Sequence, residues 1–353
     1  MAGVILLCFV GVLFAGSRWL PGRVVRGAAA GSGPVPVYRL NGLALFVLTV
    51  GVCVLLWWRA PQALAYPVRH LRDLFVAANV FAFALAGILW VRGRHHQPVR
   101  PRPGPWAAVK DYFFGVELNP RWGGVDLKLF SYRPSLIGLL LINFSAACVQ
   151  YVEHGSLTPR MALYQVFFFV YLANYFQFEG GMLHTWDLTS ERFGWMLVWG
   201  DYVLVPFFYG LPGLVLVDVH QPLPLWLGAL CCLLFVLGFW LFRGANDQKH
   251  RFKQDARATI WGRPAETVGG RLLVSGFWGI GRKLNYTGEL LVYVSWTLLC
   301  GAHSPLPYTV PAFLLVLFVH RAHRDDRRCR AKYGAVWSQY CERARFRMFP
   351  YVY

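Results

Sequence analysis

Apolar runs long enough to cross a bilayer recur through this chain. They lie at residues 3–16, 43–58, 74–91, 136–151, 161–178, 193–217, 223–242, 290–300 and 307–319. Several reach the roughly 20 residues that an α-helix needs to span about 30 Å of hydrocarbon. Inside a bilayer no water satisfies backbone N–H and C=O groups, so continuous apolar segments of this kind fold as helices. We therefore expect an all-α polytopic membrane protein of eight to ten spans, the shorter runs being tilted, re-entrant or extended by their flanks. The composition agrees: 56% of the 353 residues are apolar and 15% are charged, against about 25% charged in soluble domains.

The first run has nothing basic before it, and Arg18, Arg23 and Arg26 follow it. A reverse-oriented first span fits this better than a cleaved leader, the competing reading. The net charge is +18, and three segments hold +15 of it: residues 92–133, 243–271 and 320–353. The positive-inside rule places all three in the cytoplasm. Four spans separate the first two segments, and a hairpin over residues 290–319 returns the tail to the same side. The loop with Arg59, Arg69 and Arg72 is the exception, because the same scheme puts it outside. Charge of this size also suits anionic lipid, but no nucleic-acid motif accompanies it. The eight cysteines show neither metal-ligand spacing nor a disulfide framework, and Cys231 and Cys232 are adjacent in mid-span.

We divide the chain into an N-terminal transmembrane bundle with a Pro-rich connector, residues 1–106, and a functional region, 107–353. The connector "GRHHQPVRPRPGPW" (93–106) cannot be a long helix. The second region places polar residues at the rims of its spans. "FRGANDQKHRFK" begins where an apolar run ends, and Lys249 and Lys253 stand four apart on one helical face. Such a pair suits a phosphate; interfacial snorkelling is the alternative. At the end of the last run Arg321 and Asp325 have ion-pair spacing. Lys332, Tyr333, Trp337 and Tyr340 are spaced to line one face, which also describes an interfacial anchor. "GRKLNYTGEL" (281–290) adds Arg282, Lys283, Asn285 and Tyr286, with Trp278 seven residues before Asn285. A flat ring, an amide and several cations match the needs of a dinucleotide, although no G-x-G-x-x-G follows a strand.

These stretches resemble the sterol reductase family, which includes sterol C14-reductases, 7-dehydrocholesterol reductases, C24(28)-reductases and the lamin B receptor membrane domain. The matching motifs are "FFGVELNPRWGGVDLKLF", "RPSLIG", "FGWMLVWGDYVLVPFFY", "FRGANDQKHRFK", "LLVSGFWGIGRKLNYTGEL" and "HRAHRDDRRCRAKYGAVWSQYCERARFRMFPYVY". They run in the family's order over residues 112–353. No chromatin-reading domain precedes them, so the likeness is to a bacterial-type, single-domain member. The resemblance implies about ten transmembrane helices and NADPH-dependent saturation of a sterol double bond, with sterol supplied from the bilayer. The host would be a bacterial inner membrane or the endoplasmic reticulum, with NADPH on the cytoplasmic side. By matching motif positions, it implies that Lys249, Lys253, Leu273, Trp278, Asn285, Arg321, Asp325, Lys332, Tyr333 and Tyr340 contact or frame NADPH.

An isolated alkene accepts hydride poorly, so a general acid must first protonate one carbon and leave a tertiary carbocation. The acid needs a proton-bearing form in a desolvated site. Candidates are Asp325, Tyr171 and Glu179, then Asp187 and Tyr202. This chain departs from the family in having Lys283 where relatives usually have His, and in reading "YLANYFQFE" around Tyr171 and Glu179. "ELNPR", "RGANDQK" and "FPYVY" favour the C14–C15 bond, whereas "IWGR" leans to the Δ7 group and "RKLNYT" to the C24(28) group. The remaining readings are an isoprenylcysteine-type methyltransferase and a non-catalytic membrane scaffold.

Overall fold

The computed structural model describes residues 1–27, 35–96 and 104–353. Residues 97–103, the middle of the Pro-rich connector, therefore lie outside the description. The chain forms two compact units, Met1–Asp218 and Val219–Tyr353. The boundary at 106/107 follows polarity along the chain, whereas these units follow packing.

Helices dominate both units. Among the described residues, six are long and apolar enough to cross a membrane: Ala2–Trp19, Gly42–Arg59, Leu71–His96, Leu127–His154, Trp195–Leu216 and Leu225–Gln254. Three other apolar runs also become helices. Pro159–Gln177 is a single helix, Leu284–Thr297 has only 14 residues, and Thr309–Tyr333 is apolar in its first half and basic in its second. Short length and mixed polarity separate these three from the six.

In the first unit, Leu127–His154 is the central helix, with 67% of its apolar window buried. Asp126 starts it, Oδ1 accepting from the Lys128 and Leu129 amides at 3.1 and 3.0 Å. This satisfies two of the N–H groups that a helix start leaves without partners. Gly155 ends it at φ +75°, where only glycine sits without strain. Thr158 caps the next helix, with Pro159 in its first turn. The run at 193–217 is not one regular helix. Gly200–Phe208, which contains Pro206, winds as a π-helix between two α segments.

The second unit is organised by one close crossing. A Cβ placed on Gly238 would lie 2.7 Å from the Gly288 carbonyl oxygen, and one on Gly288 would lie 2.5 Å from the Gly238 oxygen. The backbones of Leu225–Gln254 and Leu284–Thr297 thus touch at paired glycines, the way small residues let membrane helices approach. Gln248 then caps the short helix Phe277–Ile280, its Oε1 accepting from the Phe277 amide at 2.9 Å. Two small antiparallel hairpins, Thr259–Ile260 with Arg263–Pro264 and Thr267–Val268 with Leu272–Leu273, bridge the helices.

Candidate active site

The glycine crossing brings the polar end of Leu225–Gln254 beside the start of Leu284–Thr297. Asn285 donates from Nδ2 to Asn246 Oδ1 at 3.3 Å. One turn further along, Lys249 carries its Nζ 4.3 Å from the centre of the Trp278 ring, a cation–π contact that fixes a flexible side chain. Trp278 is itself held, its Nε1 donating to the Ala245 carbonyl at 2.8 Å. Leu273 is buried with Phe252, Ile260, Phe277 and Trp278, behind this wall. Lys253, on the same helix face as Lys249, is exposed.

The other side of the site comes from Thr309–Tyr333 and Ala335–Arg343. Asp325 forms an ion pair with Lys283, and Lys249 lies within electrostatic reach of both. Both partners lie beyond the apolar stretches. Burial works against the Lys283 charge, but Asp325 beside it outweighs this and holds the ammonium pKa above its ordinary value. Burial likewise opposes ionisation of Asp325, yet Lys283 brings its pKa below the usual carboxylate value. Arg321 is exposed on the same helix. Lys332 Nζ sits 5.0 Å over the Tyr333 ring. Gly334, at φ +55°, breaks the helix after Tyr333, so the aromatic row spans two helices rather than one. Tyr333 still stacks on Trp337 at 6.5 Å, and Trp337 meets Tyr340 at 5.0 Å.

The sequence marks Lys283 as one of several cations and as a departure from the family; the structure makes it the partner of Asp325. Their neighbours Arg282 and Asp326 pair as well, Nη2 to Oδ2 at 3.7 Å. Adjacent cations at 282–283 facing adjacent acids at 325–326 were a legible signal only with the pairing in hand, because 42 residues separate Lys283 from Asp325.

Several polar atoms here lack partners. Asn285 Oδ1 and Trp337 Nε1 are buried and make no hydrogen bond. A buried polar group left this way costs about 1–3 kcal/mol, which a ligand would offset. The site offers an amide acceptor, an indole donor and a group of lysines around one carboxylate. That donor set fits a nicotinamide dinucleotide, with its carboxamide and phosphates.

Tyr171 and Glu179 belong to the first unit. Glu179 is engaged throughout: Arg133 donates to Oε1 from Nη2 at 2.8 Å and from Nε at 2.9 Å, and the Gly42 amide donates to Oε2 at 3.0 Å. Tyr171 is buried and donates its hydroxyl to Tyr175 at 3.3 Å. Tyr175 and Glu179 line one small cleft. Asp187 accepts from the Tyr132 hydroxyl at 3.0 Å, and the Tyr202 hydroxyl lies 3.1 Å from Ser131 Oγ.

The profile of the ergosterol biosynthesis ERG4/ERG24 family matches residues 3–353. The chain belongs to this family. Delta(14)-sterol reductase of Arabidopsis thaliana is 40% identical over 358 residues, covering 99% of this chain and 95% of the relative. Delta(14)-sterol reductase of the bacterium Methylotuvimicrobium alcaliphilum is 41% identical over 344 residues, covering 95% and 79%. Delta(14)-sterol reductase TM7SF2 of Mus musculus is 37% identical over 329 residues, covering 90% and 77%. The match begins at residue 3, so the family likeness extends through the N-terminal third, where the sequence motifs showed only hydrophobicity.

Proposed function

We propose that this protein is a multi-pass membrane enzyme that reduces the C14–C15 double bond of a sterol with NADPH. The substrate follows from relatives in a plant, a bacterium and a mouse that carry the same activity in their names. The cofactor reading rests on the unpartnered Asn285 Oδ1 beside the Lys283–Asp325 pair. Lys249, Lys253, Arg321 and Lys332 would neutralise phosphates. Asn285 and Asp325 would orient the nicotinamide end, framed by Leu273, Trp278, Tyr333 and Tyr340. The Lys/Arg excess of the basic segments supports a cytoplasmic position for this site.

The residues also suggest how the alkene is activated. Asp325, paired with Lys283, is an acceptor that positions. Glu179, paired with Arg133 and Gly42, is a structural acceptor. Tyr171 is buried, and its hydroxyl already donates to Tyr175 at 3.3 Å. Protonation of C15 by a proton-bearing group would leave a tertiary cation at C14. Bound NADPH would supply the hydride that quenches it. Aromatic faces would stabilise the cation before then.

Expression in sterol-producing cells that lack one reductase at a time, with sterols read by mass spectrometry, tests the assignment. Loss of the accumulated Δ14 sterol only in cells without C14-reductase is the expected result. Rescue confined to the Δ7 or C24(28) strain would transfer the activity to that bond.

A further inference from the structure

Residues 344–353 wrap against the "GRKLNYT" segment that carries Lys283 and Asn285. Gly281 and Phe346 form a parallel bridge. The Arg282 amide donates to the Phe346 carbonyl at 2.9 Å, and the Lys283 amide to the Arg347 carbonyl at 2.7 Å. Thr287 Oγ1 donates to the Met348 carbonyl at 2.5 Å. The Arg282 guanidinium, almost fully buried, donates from Nη1 to the Ala344 and Arg345 carbonyls at 2.7 and 3.2 Å. The backbone on which Lys283 sits is thus held on two sides, its carbonyl accepting from the Tyr286 amide of its own helix at 3.0 Å and its amide donating to the strip.

Asp326 locks that strip in place. Its Oδ2 accepts from Arg347 Nε at 2.7 Å and pairs with Arg282 Nη2 at 3.7 Å. The strip is closed on itself: the Arg347, Met348 and Phe349 amides all donate to the Tyr353 backbone oxygen, at 2.9 to 3.0 Å. The Arg347 guanidinium lies 5.1 Å over the Tyr353 ring, and the Tyr353 hydroxyl meets His323 at 2.9 Å. Asp325 and Asp326 are neighbours on one helix, so their carboxylates leave it about 100° apart. One takes Lys283, and the other takes the strap that fixes Lys283.

We propose that Asp326 and Arg347 are positioning residues for the cofactor site: through the strap 344–353 they set the place of Lys283 and Asn285. This rests on the NADPH reading above. It differs from a general stabilising role because the strap ties one helix, through Asp326 and His323, to residues 281–287, the segment that carries Lys283 and Asn285. Removing the Asp326–Arg347 bond should therefore loosen the nicotinamide end first, while the helices stay packed.

The test compares Asp326→Asn, Arg347→Gln and Arg347→Lys in the purified full chain. Three readouts are needed: KM for NADPH, KM for sterol, and hydrogen exchange of the amides in residues 281–287. Arg347 is partly exposed, so its variants guard against loss of folded protein in Asp326→Asn. Asp326→Asn and Arg347→Gln should raise KM for NADPH by about 10- to 100-fold, the scale of an ångström-sized misplacement. KM for sterol should stay within about 2-fold, and exchange at Arg282 and Lys283 should accelerate. Arg347→Lys keeps the charge and should restore most of the affinity. Faster exchange with an unchanged KM for NADPH would remove the strap from the cofactor site while leaving the NADPH reading intact. Failure of the unaltered protein to use NADPH would overturn the reading and the inference together.

Discussion

Each unit contains an acid–base pair, and the two are built differently. In the first, both Glu179 oxygens are satisfied, by Arg133 and by the Gly42 amide, and Arg133 also donates to the Arg39 carbonyl at 2.9 Å. Side-chain exposure is 3% for Arg133 and 10% for Glu179. In the second, Asp325 is 29% exposed beside Lys283, and Asn285 Oδ1 and Trp337 Nε1 lack partners. A closed pair has nothing left to offer a ligand. A pair whose carboxylate is part exposed keeps an edge that a ligand can reach.

The sharpest break in this comparison is Glu179→Gln. It would leave Arg133 buried against a neutral amide, and losing one partner of a buried pair costs about 3–5 kcal/mol. Thermal unfolding in detergent should show that loss, with residual activity falling in step with the folded fraction. A variant that melts like the parent but reduces no sterol would make Glu179 the proton donor and erase the contrast. Next come Asp325→Asn and Asn285→Asp. Each should lower sterol reduction by about 100-fold with little change in melting, in the range of losing a general acid–base or positioning group. Wild-type rates for both would reduce the open pair to helix packing. Lys249→Ala should raise KM for NADPH by about 10-fold, from loss of a charge-assisted bond worth about 1.5 kcal/mol. An unchanged KM would take the lysine out of the phosphate site.

The smallest effect concerns pH. Lys283, with its pKa raised, supports the pair at every pH below the ordinary lysine value of about 10.4, and loses it as pH climbs through the higher folded value. Asp325, with its pKa lowered, supports the pair above the ordinary carboxylate value of about 3.9, and loses it as pH falls through the lower folded value. Between pH 6 and 9 the native pair should therefore not titrate. Lys283→His brings in a group that titrates near 6.5 when unperturbed and somewhat higher beside Asp325. KM for NADPH should then rise about 5-fold across that interval, worth about 1 kcal/mol for a pair that is part exposed. A flat profile in the variant would mean that the charge at 283 does not reach the cofactor.

Hydropathy alone located the helical segments, because in a bilayer a long apolar run has helix as its simplest satisfied form. The nine runs reappear as helices, with the 193–217 run interrupted by a π-helix that its apolar letters do not announce. The motifs around Lys249, Asn285 and Asp325 were also legible, since their order along the chain is itself a pattern. Contacts were not. Spacing on one helix pointed from Asp325 to Arg321, whereas the structure shows Asp325 on Lys283. The role of Asp326 needed the strap at 344–353, and the unmet acceptor of Asn285 needed its whole surroundings. Local periodicity fixes which face of a helix a residue occupies. Which residue from elsewhere meets that face depends on where helices cross, and here that is set by Gly238 against Gly288, two residues with no side chain to read.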